Sequence, residues 1–599
     1  MCGIAGTLSG ASGEAADQAM RMQSLLAHRG PDDRGAWQSP GGHAAYVHTR
    51  LSIIDPSPGG HQPMTSDDGR FTITYNGELY NFGELRRTLQ SQGVGFRSKS
   101  DTEVLLRLFE FAGPAFVEQL RGMFAFAIWD ERERTCLLAR DRFGIKPLYY
   151  HQADDRLMFA SEVRALVAAG ASSTIDAQAA YEYFRSGSVP EPLTLYRSVR
   201  ALEAGCYMIW SPAGVTFRQY WEPRFEAVTP AADPVTITRQ AFLDSVSHHF
   251  VSDVPVGIFL SGGIDSSAIV AAARVTQPNQ LRTFSVTFPD TPVDEGAEAR
   301  RTAELFKTDH HEWALDARRA RPLFDDFLAA VDQPSIDGFN TYTASRFARQ
   351  YGAKVVLSGL GGDELFGGYP SFCEVPRLVR LGRWGSVARP ATAAIAKLAA
   401  STGKSRLRRL ADLVRRRPNL DTAYQVFRGI YTRDEALGLT QHFVGDSAAV
   451  VDAIDPKTLY SSDDSRDVIS RLELTRYMRN QLLRDSDVMG MACGIELRVP
   501  FVDHELFEAV AQIPAAERLQ PGKRLLVQAM PELPEWVTAR PKRGFTFPME
   551  QWFEGDWAGE FGHLNFSAAE RIAPLDTWYR KWSVVAFEHW LQRPLLTHV

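Results

Sequence analysis

Apolar and polar positions along the chain change rhythm near position 229. Before it, short runs rich in β-branched and aromatic residues recur at His43–Ile54, Phe71–Tyr75, Met123–Trp129 and Thr135–Arg140. Turns containing Gly, Pro or Asp separate them, so each run predicts a strand of one or two sheets. Glu84–Gln92 and Asp101–Phe111 instead repeat apolar residues at helical spacing, which predicts two amphipathic helices. After it, Val254–Leu260 predicts a buried strand, followed by a Gly-rich turn and a helix over Ser266–Val275. Leu281–Phe288 and Ala353–Leu357 are further apolar runs set apart by helical sequence. Strand, crossover helix and strand in repetition predict a parallel, doubly wound sheet. Beyond about Ser371 the pattern is helical almost to the end. Within that part, the basic stretch Lys404–Arg417 before Pro418 reads as a solvated connection.

At 599 residues the chain exceeds what one core organises, so two or three domains are expected. A composition of 44% hydrophobic and 23% charged residues belongs to ordinary globular proteins. The net charge of −6 gives no reason to expect a nucleic-acid partner. No run of about 18 apolar residues predicts a membrane span, and no secretory signal is visible. The five cysteines (Cys2, Cys136, Cys206, Cys373, Cys493) are far apart, which argues against zinc and against a disulfide framework. A reducing cytoplasm is the expected compartment.

Two stretches carry chemistry. Cys2 follows the initiator Met, whose removal would leave a thiol beside a free α-amine. That amine titrates at about 7.7–8.0 and can act as general base for its own thiol. By itself Cys2 reads as a small buried hydrophobe. It is followed, however, by His28-Arg29-Gly30-Pro31-Asp32, Arg50-Leu51-Ser52-Ile53-Ile54-Asp55, Tyr75-Asn76-Gly77-Glu78-Leu79-Tyr80-Asn81 and Ser100-Asp101-Thr102-Glu103. With Met1-Cys2-Gly3-Ile4-Ala5-Gly6, this ordered series resembles the class II, N-terminal-nucleophile glutamine amidotransferase domain. The resemblance implies an αββα sandwich with Cys2 as nucleophile. Arg50 and Asp101 match the positions that receive the carboxylate and ammonium of glutamine. Asn-Gly alone reads as a hairpin turn. In this company Asn76 and Gly77 are the expected oxyanion donors, with Glu78 a further contact to the substrate amine.

The second stretch, Ser261-Gly262-Gly263-Ile264-Asp265-Ser266-Ser267, lies between a predicted strand and a predicted helix. Glycines let backbone approach a phosphate, and a helix N-terminus offers free N–H groups. The lysine of a Walker A loop is missing. The loop instead resembles that of ATP pyrophosphatases, which cleave between the α- and β-phosphates. Leu357-Ser358-Gly359-Leu360-Gly361-Gly362-Asp363-Glu364-Leu365-Phe366-Gly367-Gly368-Tyr369 resembles a segment of the asparagine synthetase family. Such loops gather at the carboxyl ends of parallel strands, which makes Asp265 and Asp363 candidate Mg²⁺ ligands. Leu260, Ser261, Gly262, Gly263, Asp265, Ser266, Val286, Ser358 and Gly359 match nucleotide-binding positions, and Lys523 matches a lysine that meets the pyrophosphate. Arg484–Asp487, Glu496–Asp503, Gly522–Leu526 and Arg540–Phe545 also resemble family segments, with packing or ion pairing an equal reading for each late residue.

The resemblance to glutamine-hydrolysing asparagine synthetases covers Met1 to about Trp552. It implies a glutaminase domain over 1–215 and an α/β ATP-pyrophosphatase domain with a helical C-terminal part over 216–599. The implied reaction uses ATP and Mg²⁺, takes ammonia from glutamine and transfers it through an enclosed passage to an adenylated carboxylate. Small molecules are the expected partners, and a homodimer is the assembly considered. The family's glutamate in Ser-Gly-Glu-Gly is here Leu360, which carries no charge or hydrogen-bonding group and turns the expected acceptor away from aspartate. Aspartate stays as the alternative. A β-lactam-synthetase-like ligase using another amine is disfavoured by Cys2, Arg50, Asn76 and Asp101 together. A silent sensing protein is disfavoured by the complete set of glutaminase motifs together with the complete pyrophosphate loop.

Overall fold

The computed structural model describes residues 2–11, 15–227, 232–387, 404–415, 419–445, 450, 464–540, 544–559 and 566–593. Its first part is a four-layer sandwich, and strand parity explains why. Along Gly122–Asp130 the residues Ala125, Ala127 and Trp129 face one way while Phe124, Phe126 and Ile128 face the other. Both sets are buried, so the strand reads as one continuous apolar run. The inward set meets Ile4, Leu8, Tyr46 and Phe159 of a second sheet, closing the central layer. The outward set packs under the helices Phe82–Ser91 and Asp101–Ala112. Ala5, Ala45 and Val47 do the same for Ala15–Leu25 and Val163–Ala168 on the opposite side. In one six-stranded antiparallel sheet Gly3–Ser9 lies between Arg156–Ala160 and Ala44–Arg50; in the other Phe71–Leu79 pairs with Gly122–Asp130.

The second unit is built on a five-stranded parallel sheet, in spatial order Asp309–Ala314, Arg282–Thr287, Val256–Phe259, Val355–Leu357 and Glu496–Arg498. The first strand in sequence, Val256–Phe259, has the second on one side and the fourth on the other, so the strand order reverses beside it. The loops after Val256–Phe259 and Val355–Leu357 therefore open into one crevice at their carboxyl ends. Separate cores cover the two faces, one around Ile258, Ala268–Ala273 and Leu357, the other around Phe284, Val356 and Phe347.

Several expectations change. Thr135–Arg140 keeps its expected ends, whereas Leu51–Ile54 is not strand. Leu51, Ile53 and Ile54 are apolar because they pack on Val355 and Met491 of the second unit. Phe71–Leu79 runs straight through Asn76-Gly77, so no hairpin turn forms there. The division expected at 215 falls inside Gly214–Gln219, a strand paired with Cys206–Ser211, and the sheet carries the first unit through Gln219. In the parallel sheet two strands were not anticipated: Asp309–Ala314, a half-exposed edge, and Glu496–Arg498, inside the region read as helical. The basic stretch is not a loose connection over its described part: Ser405–Arg415 is a helix with Arg408 on Glu435 at 2.6 Å, and residues 416–418 lie outside the described residues. Glu473–Leu483 is wound as a π-helix, a rare form that interrupts the usual repeat.

Close packing gives a testable contrast. A Cβ on Gly30 would stand 2.1 Å from the Thr49 carbonyl carbon, whereas one on Gly83 meets nothing within 4 Å. Gly30→Ala is expected to cost about 2–3 kcal/mol through overpacking against backbone. Gly83→Ala, in a helix, should gain about 0.5–1 kcal/mol. Denaturant midpoints of the two variants, moving in opposite directions, check this.

Candidate active sites

Cys2 enters from the edge of Gly3–Ser9 and is buried, 7% exposed. Its N–H donates to Asn76 Oδ1 at 2.9 Å, and its carbonyl accepts from Arg29 Nε at 3.1 Å. Asn76 lies on the neighbouring sheet and is fully buried; its Nδ2 has no hydrogen-bond partner among the described residues. A buried amide donor left unpaired costs about 1–3 kcal/mol, so a group that supplies an acceptor there is strongly favoured. Gly77 follows in extended conformation, close to the Met123 carbonyl oxygen, which a Cβ would meet at 2.2 Å. Burial raises the Cys2 thiol above its ordinary value, while the amino-terminal charge, the Leu51 N–H and Arg50 pull against that rise.

Arg50 ends the strand Ala44–Arg50 and is aimed by three carbonyls: Ile54 at 3.1 Å, Asp55 at 2.6 Å and Ser57 at 3.2 Å. Gly60 leaves room for this, since a Cβ there would lie 1.9 Å from Arg50 Nη2. Asp101 starts its helix after the N-cap Ser100 and accepts from Tyr75 Oη at 3.1 Å and Leu79 N at 3.2 Å. Burial raises its carboxyl despite those donors. Glu78 is buried too, with Oε2 on Arg498 at 2.8 Å and Oε1 unpartnered. Cys2 is thus bonded to Asn76 and feels the charge of Arg50, while Glu78, two residues on from Asn76, feels that of Asp101.

In the second unit, Ser261–Asp265 joins Val256–Phe259 to the helix Ile264–Thr276, whose N-cap Gly263 uses no side-chain cap. Its first N–H groups face the crevice, an arrangement suited to phosphate. Ser261 N and Oγ both contact Ser266 Oγ, at 3.1 and 3.0 Å, and Gly262 N donates to Glu295 at 3.2 Å. Leu260 and Val286 line the same cavity as Ser358 and Gly359. Lys523, in the left-handed conformation at φ 54°, sends its ammonium between Asp265 Oδ1 and Asp363 Oδ1, each at 2.5 Å. Burial alone would lower that lysine, but the two carboxylates raise it. The loops are pressed together: a Cβ on Gly362 would lie 2.4 Å from Asp265 Oδ1, and one on Gly368 1.8 Å from Asp363 Oδ1. Two hard oxygen donors converging on one cation position fit Mg²⁺, which usually takes one or two carboxylates and completes its shell with phosphates and water. Among the described residues no group of three or more His, Cys, Asp or Glu side chains forms a closed metal cage.

The crevice opens into a cavity of about 1270 Å³. Its far wall comes from the first unit, through Tyr181, Arg185 and Glu191, and from the π-helix, through Tyr477, Arg479 and Asn480. Leu360 lies on the wall near the phosphate loops and packs its other side into the core.

Residues 1–221 match the glutamine amidotransferase domain and residues 238–592 match asparagine synthase. The chain belongs to the asparagine synthase family. It is 34% identical to asparagine synthetase [glutamine-hydrolyzing] 1 of Bacillus subtilis (strain 168), over 93% of this chain and 88% of that one. It is 32% identical to a putative asparagine synthetase [glutamine-hydrolyzing] of Mycobacterium bovis, over 98% and 97%. It is also 32% identical to the amidase chry2 of Gibberella zeae, over 62% and 60%.

Within this asparagine synthase family member, sequence reasoning left the late segments without roles. Asp487 pairs with Arg29 at 2.6 Å, and Arg29 holds the Cys2 carbonyl. Lys146 reaches the other oxygen of Asp487 at 3.4 Å. Glu496 is held at about 2: burial would raise it, but the amino-terminal charge, Arg498 and Lys146 outweigh burial. Arg484 contacts Asp485 and the carbonyls of Val189 and Pro334, a packing role. Arg540 meets Glu298 at 3.4 Å, while residues 541–543 lie outside the described residues. Arg29 and Asp487 each stand in a motif of their own, but no local pattern signals that residues 458 positions apart are paired.

The raised Cys2 thiol has a measurable consequence. Alkylation of Cys2 by iodoacetamide, followed by peptide mass spectrometry, is expected to be slow at pH 7 and still rising at pH 9, because thiolate appears only above the ordinary thiol range. A plateau reached by pH 8 would contradict the burial argument.

Proposed function

We propose that this chain is an ATP-dependent amidotransferase that frees ammonia from glutamine at Cys2 and uses it to amidate an adenylated carboxylate other than aspartate. The carrying observation is the Cys2–Asn76 pair, in which Asn76 fixes the nucleophile through Oδ1 and keeps Nδ2 unpartnered in a buried pocket. The Cys2 thiolate attacks the δ-carbonyl of glutamine, and the oxyanion that forms is received by Asn76 Nδ2 and the Gly77 N–H. Ammonia leaves, and water then releases glutamate from the thioester. Arg50 receives the substrate α-carboxylate through a guanidinium already aimed by three carbonyls, so little ordering is left for binding to supply. Asp101 and Glu78 receive its α-ammonium.

At the second site the acceptor carboxylate attacks the α-phosphorus of ATP, forming an acyl-adenylate and releasing pyrophosphate. Ammonia adds to the acyl carbon, AMP departs with the electron pair, and the amide remains. Leu260, Ser261, Gly262, Gly263, Ser266, Val286, Ser358 and Gly359 hold the nucleotide. Lys523 neutralises charge that builds on the departing pyrophosphate. Asp265 and Asp363 would hold Mg²⁺, which when bound polarises the phosphate oxygens. The likeness to asparagine synthetases favours aspartate as acceptor. Leu360 favours another acid: it places an aliphatic side chain on the cavity wall where the family carries a carboxylate, and it can neither accept a proton nor orient an amine.

Pyrophosphate release with ATP, Mg²⁺ and glutamine, measured across a panel of carboxylic acids, tests the reading. Release is expected with an acid other than aspartate, accompanied by transfer of the labelled amide nitrogen of glutamine into product. Asparagine formed from aspartate would make the chain an asparagine synthetase in spite of Leu360. Cys2→Ala should abolish glutamate formation while ammonium salts still support the second reaction; loss of both would sink the division of labour.

A further inference from the structure

Arg498 ends Glu496–Arg498, the edge strand of the parallel sheet, and its side chain is fully buried. All three nitrogens of the guanidinium have partners. Nη2 meets Glu78 Oε2 at 2.8 Å, Nε meets Glu496 Oε1 at 2.6 Å, and Nη1 meets the carbonyls of His249 and Val251 at 2.9 and 2.6 Å. Its own carbonyl accepts Ser358 N–H at 2.8 Å. Ser358 opens the second phosphate loop, and the next residue, Gly359, is so close to the first loop that a Cβ would lie 3.0 Å from Asp265 Cβ. One residue thus bonds through its backbone to the nucleotide crevice and through its side chain to the glutamine pocket.

We propose that Arg498 is a positioning residue that couples nucleotide binding to glutamine binding, by transmitting displacement of the Ser358 loop to Glu78. The inference rests on the reading of Glu78 as a contact to the α-ammonium of glutamine. A guanidinium fixed by four contacts moves as a body with its strand end, so a shift of the loop is delivered to Glu78 Oε2. Glu78 Oε1, which faces no partner, is the oxygen left for substrate. By linkage, whatever nucleotide does to glutamine affinity, glutamine does to nucleotide affinity.

Arg498 has a second task, to oppose protonation of Glu78. Burial drives that carboxyl well above its ordinary value, and Arg498 is the foremost opposing charge. Glu496 and Asp101 push the same way as burial, and the amino-terminal charge pulls against it. Tyr75 and Tyr80 also face the group. Without Arg498 the carboxyl rises further, so its ionisation moves to higher pH. Glutamine affinity should then improve with pH, a trend that mere loosening of the fold would not produce.

The test uses the full chain and measures glutamate release against glutamine concentration between pH 6.5 and 9, with and without ATP–Mg²⁺. In the wild type, ATP–Mg²⁺ is expected to change the KM for glutamine. Arg498→Met should raise that KM at least tenfold near pH 7 with a smaller change in kcat, lose the response to ATP–Mg²⁺, and recover KM as pH rises. Because Arg498→Met leaves Glu78 buried without its cation, Arg498→Lys is the second variant: it keeps the charge but cannot span all four side-chain contacts. The lysine variant should show a KM near wild type and a weakened response to ATP–Mg²⁺. The coupling is overturned by a wild-type KM that ATP–Mg²⁺ does not move, or by a folded variant that keeps the wild-type response. Glu78→Gln separates the underlying reading: an unchanged KM there removes Glu78 from substrate binding, whereas a raised KM with a normal Arg498→Met removes only the coupling.

Discussion

The two halves of this molecule are held together by charges buried where water does not reach. Arg29, Glu162, Asp487 and Lys146 form one cluster, and Arg498, Glu78 and Glu496 form another, with side chains at most 3% exposed. An ion taken out of water loses several kcal/mol of solvation, and a mate in good geometry is what restores it. Removing one partner leaves the other uncompensated, which costs about 3–5 kcal/mol. Such pairs add little to net stability compared with an apolar contact, but they fix register. Here the register is that of the Cys2 pocket against the edge of the parallel sheet.

Both sites handle a carboxyl-derived carbon, and both surround it with preset polar groups instead of recruiting them. Asn76 is pinned by the Cys2 amide; Arg50 is aimed by carbonyls that only a glycine at position 60 leaves uncrowded. Lys523, Asp265 and Asp363 neutralise one another across the crevice. Polyanionic phosphate entering that triad would exchange one set of partners for another, so the charges need not be stripped of solvation at the moment of reaction.

Sequence carried the parts of this structure that depend on local order. Phe82–Ser91 and Asp101–Ala112 are helices because their own spacing makes them amphipathic, and Thr135–Arg140 is a strand flanked by its own turn residues. Cys2 and Asn76, quoted from separate motifs, are hydrogen-bonded. What stayed hidden depends on distant neighbours. Leu51–Ile54 has the composition of a strand but owes it to Met491 and Val355. Glu496–Arg498 has two charged residues out of three and lies among helices; it is a buried edge strand whose Arg498 meets its counter-charge on Glu78, 420 positions away. Asp309–Ala314 is polar because it closes an edge, where alternation is weak.

The shared wall of the large cavity has a consequence for ancestry. Tyr181, Arg185 and Glu191 reach into the second unit's cavity, Asp332 caps Val163–Ala168 through the Val163 N–H at 2.8 Å, and Lys354 pairs with Asp32 at 2.7 Å. Neither half presents a finished surface of its own along this boundary. A recombination event that exchanged one half for a homologue's would inherit acids without their bases, so the halves are expected to descend as a single heritable unit and to change by matched substitutions on both sides of the seam.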